Sequence, residues 1–187
     1  MSLYLLRHCE RHMSPDFHTN LTTYGRAEAE RLVPELHKLS LDYIYASPFV
    51  RTLETIEPFS RFKNIPIRLE NSIYECIREP FFEPFDFQYG KQDILNNYPK
   101  LAEIIDLKYE SMLPLEKVAC SSDLKTVYDR IVPFINHLGT EIAKGHNILL
   151  VTHRTTFNII EGYIANSRFI DEDPVWKPRE GQIKQVI

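Results

Sequence analysis

His8 and His153, with Arg7 and Arg51, are the residues of this 187-residue chain whose types and spacing point to chemistry on an anion. His8 comes directly after Arg7 and the apolar run Leu3-Tyr4-Leu5-Leu6, which reads as a short buried strand. His153 ends a second such run, Asn147-Ile148-Leu149-Leu150-Val151-Thr152, ahead of an apolar stretch with helical spacing. Ligands of open α/β sheets bind at the carboxyl ends of the strands, so both imidazoles fall on a ligand-binding edge. Arg7 supplies a planar, permanently charged donor for an anionic oxygen, and the Arg-His pair reads as a phosphate site. Between the two histidines, Tyr43-Ile44-Tyr45-Ala46 reads as a further strand. Ser47 and Pro48 then predict a helix with serine as its N-cap and proline at its first position. That places Arg51 in the opening turn, where backbone amides and the helix dipole favour negative charge.

Four stretches in order carry a resemblance to a known family. They are Leu5-Leu6-Arg7-His8-Cys9-Glu10, Leu21-Thr22-x-x-Gly25-Arg26-x-Glu28-Ala29, Ser47-Pro48-x-x-Arg51-Thr52-x-x-Thr55 and Val151-Thr152-His153. Together they resemble the histidine phosphatase superfamily, also called the phosphoglycerate mutase-like family. The start, with Arg11 after Glu10, is most similar to the eukaryotic-type branch that includes ubiquitin-associated, SH3-containing phosphatase domains. The likeness implies a three-layer α/β/α fold with a mostly parallel central sheet and a single domain over residues 1–187. Residues 181–187 would match the family's last strand. The stretch around 76–122 matches little and is expected to be a variable, lid-like insert.

The resemblance also implies a reaction: metal-independent hydrolysis of phosphomonoesters through a phosphohistidine on His8. A neutral imidazole attacks phosphorus in line, and water then hydrolyses the intermediate. Arg7, Arg51 and His153 would hold the phosphoryl oxygens, since catalysis of this transfer comes mainly from positioned donors. His8 must stay neutral while His153 beside the anion is protonated, so the two want opposite charge states. Glu75, in Ile73-Tyr74-Glu75-Cys76, falls where mutase-like members carry the glutamate that protonates the leaving oxygen. Glu70 and Glu79 are close enough in sequence to be alternatives. Glu10 and Arg154 are further candidate contacts.

Cys9 and Arg154 stand where the family commonly has glycine, and the Gly-Trp-Glu-Gly-like segment that commonly follows the acid is missing. These departures keep a second function open, a phospho-ligand-binding domain without turnover. A third, a phosphoglycerate mutase or sugar bisphosphatase, would need extra basic residues and longer insertions, whereas Arg78 to Asp86 is acidic.

Composition narrows the setting. A net charge of -4 and a pI near 6.0 offer no general attraction to nucleic acid or an anionic membrane, so any phosphate affinity must be local. Cys9, Cys76 and Cys120 are odd in number and lack Cys-x-x-Cys spacing, which argues against a disulfide framework and a zinc site. No apolar run approaches membrane length, and a cytoplasmic location is expected. His8-Cys9 lacks the arginine that a cysteine phosphatase loop places six residues on, since Pro15 stands there. His8 and His12 lack the glutamate spacing of a zinc helix, and there is no Gly-rich nucleotide loop. No metal and no cofactor are expected. The expected partner is a small phosphorylated substrate or a phosphopeptide, and no oligomeric state is specified.

Apolar runs at Leu3 to Leu6, Tyr43 to Ala46, Ile65 to Leu69 and Ile148 to Val151 predict strands with helices between them, the pattern of a sheet covered on both faces. Leu124, Val127, Tyr128, Ile131, Ile135, Leu138 and Ile142 predict a long amphipathic helix despite Pro133, capped at Ser122 or Asp123. Leu101, Ile104, Ile105 and Tyr109, after Pro99, predict a shorter one. The segment from Arg78 to Gly90, rich in Pro, Phe and Glu, predicts a loop whose aromatics either line the site or pin the loop to the core.

Overall fold

The computed structural model describes residues 1–14, 16–76, 89–118, 123–166 and 178–187. Five strands, β1 (Ser2–Arg7), β2 (Tyr43–Ala46), β3 (Ile67–Leu69), β4 (Asn147–Thr152) and β5 (Ile183–Gln185), form one sheet in the order β3-β2-β4-β1-β5. β1 to β4 pair in parallel, and β5 pairs antiparallel with β1. Helices α1 (Thr23–His37) and α2 (Val50–Lys63) cover one face, and α5 (Leu124–Ala143) and α6 (Arg154–Asn166) cover the other. Two short helices, α3 (Lys91–Asn97) and α4 (Pro99–Ala102), precede α5. This is the expected three-layer arrangement, with the described end residues 183–185 as its antiparallel edge.

Strand alternation assigns each core its residues. Leu3 and Leu5 point with Ile148 and Leu150 toward Ile131, Leu138 and Phe157 of α5 and α6, while Leu6, Leu149 and Val151 face Leu32, Leu53 and Ile56 of α1 and α2. Both faces are buried, which is why the central strands read as continuous apolar runs rather than alternating ones. Asp123 caps α5 through Lys125 N and Thr126 N, and Pro133 lies within the helix. No described helix is long and apolar enough to cross a membrane.

Two expected elements differ. The helix predicted through Leu101, Ile104, Ile105 and Tyr109 ends at Ala102, and Ile104 to Asp106 instead runs beside β3. Ile67 N donates to Ile104 O at 2.7 Å and Asp106 N to Ile67 O at 2.8 Å. An edge strand leaves backbone groups open, and satisfying them outweighs helical propensity in this short segment. The strand predicted from Ile65 begins at Ile67, after Pro66, which has no N–H to give a ladder.

Gly25 explains the second sequence stretch. Thr22 caps α1 by accepting from Gly25 N at 3.0 Å, and Thr22 Oγ1 and N donate to Glu10 Oε1 and Glu10 O at 2.6 and 3.0 Å. The helix start therefore lies against the backbone just after His8, and a Cβ on Gly25 would sit 2.0 Å from Glu10 O. Gly25→Ala should destabilise the protein by about 1–3 kcal/mol, as overpacking does. A denaturation midpoint equal to the parent's would contradict this contact.

Candidate active site

β1 and β4 are neighbours with Arg7 opposite Thr152, so the residues that follow, His8 and His153, emerge level at one sheet edge. His8 N donates to Thr152 O at 3.0 Å, extending the ladder one step past the strands. The two imidazoles lie edge to face with centroids 5.4 Å apart, both buried. β2 ends beside β4, and Ser47 N continues that ladder by donating to Val151 O at 3.1 Å. The chain thus stays extended through Ser47, and α2 begins only at Val50. Ser47 is not the helix cap that the sequence predicts: Phe49 holds that position with no side-chain cap, and Ser47 Oγ lies 2.9 Å from His153 Nε2.

Arg51, in the first turn of α2, is completely buried. Its Nη1 donates to Asp16 O at 2.8 Å and its Nη2 reaches Glu75 Oε2 at 3.3 Å. Phe49 supports the group from beneath, with Arg51 4.4 Å from its ring centre and the His153 ring edge-on at 4.8 Å. Glu75 Oε2 lies 3.2 Å from His153 Nδ1 as well, so one carboxylate oxygen serves both. That oxygen lies off the N–H direction, and His153 Nδ1 is left without an aligned hydrogen-bond partner. Arg51 Nε and Arg7 Nε are likewise buried and unpartnered.

Arg7 is held from the C-terminal side. Its Nη1 donates to Pro178 O at 2.6 Å and its Nη2 pairs with Glu180 at 3.0 Å. Gly181, at a φ of 68°, donates its N–H to Arg7 O at 3.1 Å, locking the turn against the end of β1. The other candidates are not all brought to the centre. Glu10 is engaged with Thr22 at the start of α1. Arg154 begins α6, makes no ion pair among the described residues, and its charge opposes that of Arg7. Glu70 is fully buried and accepts from Ser72 N, Ser111 Oγ, Met112 N and Tyr109 Oη. With four donors on it, Glu70 braces the chain after β3. Glu79 lies outside the described residues, as do Cys120 and most of the aromatic-acidic segment. Cys9 and Cys76 are both buried. Ser47, Phe49 and Asp16 were not assigned these contacts by sequence reasoning.

His8 has a defined tautomer. Its Nδ1 lies 2.8 Å from Cys9 O, and a carbonyl can only accept, so Nδ1 carries the proton and Nε2 keeps its lone pair. Burial, with the charges of Arg51 and His153, holds His8 well below the ordinary histidine range. Burial also lowers His153 to about 4, with Arg51 adding to this and Glu75 opposing it. For Glu75 burial acts upward, but His153, Arg51 and His8 together overrule it and hold the group well below the carboxylate range. Arg51 is lowered by burial to about 10 and remains charged at neutral pH. At neutral pH the centre therefore holds two neutral histidines and an ionised carboxylate on a buried guanidinium. Sequence reasoning expected a protonated His153; that state requires a further anion beside it.

Both imidazoles bind a proton less readily folded than unfolded, so the unfolded chain takes up more protons as pH falls below about 6.5. Stability should drop from there toward pH 4, by about 1.4 kcal/mol per pH unit for each fully linked histidine. Glu75 adds to the loss below the ordinary carboxylate pKa of 4.5, because its folded-state pKa is depressed. Denaturant midpoints at several pH values measure this, and a flat profile between pH 6.5 and 4.5 would contradict the burial of both rings.

His8, Glu75 and His153 offer ligand atoms within 4.8 Å of one another, close enough for a cation. Arg51 already places a positive charge on the same Glu75 oxygen, and the unpartnered nitrogens are donors, which suit an oxyanion.

Comparison with known proteins fits this geometry. The Transcription factor tau 55 kDa subunit of Saccharomyces cerevisiae is 32% identical over 139 residues, 71% of this chain and 31% of that protein. The chain thus matches less than a third of that relative's length. The ecdysone phosphate phosphatase from Bombix mori, in complex with tungstate, has the same fold at a TM-score of 0.73 and 17% identity, covering 98% of this chain and 87% of that one. The alpha-ribazole phosphatase from Shigella flexneri follows at 0.67 and 20% identity, covering 99% and 89%. The sequence itself matches the histidine phosphatase superfamily (branch 1) over residues 3–170. Since that match runs from the first strand past the second histidine, the chain belongs to the histidine phosphatase superfamily, branch 1.

Proposed function

We propose that this chain hydrolyses phosphomonoesters without a metal, through a phosphohistidine at His8 Nε2. The observation that carries the reading is the hydrogen bond from His8 Nδ1 to Cys9 O, which leaves a neutral Nε2 as nucleophile beside Arg51 and His153. Nε2 attacks phosphorus, the N–P bond forms and the ester P–O bond breaks, while Glu75 takes the proton of the substrate monoanion and passes it to the leaving oxygen. Water then attacks the phosphohistidine, its oxygen bonds to phosphorus as the N–P bond breaks, and Glu75 takes the water proton and returns it to the departing inorganic phosphate. Arg51, Arg7 and His153 stabilise the equatorial oxygens. The substrate class is a small phosphate ester or a phosphopeptide, and the expected setting is the cytoplasm.

A second reading has its own support. Glu75 already occupies donors that a phosphoryl group would use, and a relative is called a transcription factor subunit. On that reading the domain binds a phospho-ligand within such an assembly without turning it over. One experiment separates the two: reaction with phosphorus-labelled phenyl phosphate in the presence of a chelator, quenched within one turnover. The expected result is acid-labile label on the peptide carrying His8, with turnover indifferent to the chelator. Loss of turnover on chelation overturns the metal-free mechanism, and inorganic phosphate binding with neither label nor turnover selects the second reading.

A further inference from the structure

The peptide that carries Glu75 is held by side chains at three successive carbonyls. Ile73 O accepts from Thr152 Oγ1 at 2.8 Å, and Tyr74 O accepts from Thr156 Oγ1 at 2.9 Å. These threonines flank His153 on β4 and α6. The third side chain is Arg130, from the middle of α5. Its Nε donates to Ser72 O at 3.2 Å and its Nη2 to Tyr74 O at 2.6 Å. One planar guanidinium edge thereby bridges two carbonyls two residues apart, immediately before Glu75.

Arg130 makes no ion pair among the described residues, and its bonds there go to neutral carbonyls. Acceptors of that kind need a donor but not a charge. Burial lowers Arg130 to about 10, against the pull of Cys76, Glu75 and Tyr74, so it stays cationic at neutral pH within reach of the carboxylate. Glu75 thus has Arg51 in direct contact, while Arg130 grips the carbonyl of the residue before it.

We propose that Arg130 is a positioning residue for Glu75: it fixes the peptide that aims the carboxyl group at the leaving oxygen and touches no reacting atom itself. The inference rests on the reading of Glu75 as proton donor. A merely structural brace between α5 and the turn after β3 would, when removed, slow all substrates alike. A positioning role predicts a loss that grows with the need for leaving-group protonation.

The test compares p-nitrophenyl phosphate, phenyl phosphate and an alkyl phosphate in the parent, Glu75→Gln and Arg130→Met. p-Nitrophenolate leaves without a proton and an alkoxide does not. Arg130→Met should lose about 10- to 100-fold in kcat on the alkyl ester, the scale of a displaced catalytic group, and much less on the nitrophenyl ester. Inhibition by inorganic phosphate should stay close to the parent's, because Arg51 and both histidines are untouched. Arg130→Lys keeps the charge but cannot bridge both carbonyls, and should show the same ranking with a smaller loss. It carries the test alone if Arg130→Met does not fold. A graded loss in Glu75→Gln with a uniform loss, or none, in the Arg130 variants overturns this inference only. Absence of grading in Glu75→Gln removes the reading of Glu75, and the inference with it.

Discussion

His8→Ala is expected to lower kcat for p-nitrophenyl phosphate by on the order of 10⁴-fold or more, the scale seen when a covalent nucleophile is removed. No neighbour can take over the attack. Burial and the nearby Glu28 carboxylate raise the Cys9 thiol, so it stays protonated and unreactive across the working range. His153 is closer in kind, yet its ring is fixed between Ser47 and Glu75. The variant should fold, because the position takes a neutral, buried ring whose side chain is hydrogen-bonded, among the described residues, to the carbonyl of its own neighbour Cys9, and alanine leaves the strand pairing of β1 intact. It should also be less sensitive to acid than the parent, having lost one of the two groups that resist protonation in the folded state. Activity above about a hundredth of the parent's would remove the phosphohistidine from the mechanism.

Much of the frame was legible because it depends on local patterns. Strands buried on both faces leave apolar runs, and the runs at Leu3, Tyr43 and Ile148 became β1, β2 and β4. The stripe from Leu124 to Ile142 became α5. The histidines and Arg51 were placed at element ends by the same patterns, and their convergence follows from parallel pairing in register. What was not legible depends on partners far apart in sequence. Glu70 and Glu75 are the same residue type five positions apart. Only the 3-10 turn Asn71–Ile73 and the later segment around Tyr109 to Met112 turn one inward to four donors and leave the other on Arg51. Ser47 and Pro48 carry a valid helix-start signal, which the β2–β4 ladder overrides by keeping Ser47 extended. Carbonyl acceptors such as Asp16 O and Pro178 O leave no trace in side-chain chemistry, so the bonds that aim Arg51 and Arg7 had no sequence signal.

Glu75→Gln should divide substrates by leaving group, losing about 10²- to 10⁴-fold on an alkyl phosphate, the usual range for a general acid, and far less on p-nitrophenyl phosphate. The resting site explains why the proton must be brought in. At neutral pH His8 and His153 are neutral and Glu75 is ionised beside Arg51, so neither histidine nor the carboxyl group holds an extra proton to give. A phosphoryl group draws on Arg51, which now holds Glu75, and on His153 beside it. Once Arg51 turns to the phosphoryl oxygens, Glu75 loses the charge that stabilises it, its pKa rises, and it can take the proton of the substrate monoanion and pass it to the leaving oxygen. For a poor leaving group, kcat/KM should therefore fall about tenfold per pH unit above the second phosphate pKa of about 6. The glutamine variant also removes the carboxylate that competes for Arg51, so inorganic phosphate should inhibit it at least as strongly as the parent. Weaker inhibition together with an equal loss on every ester would mean that Glu75 binds the phosphoryl group's partners in place without handling a proton.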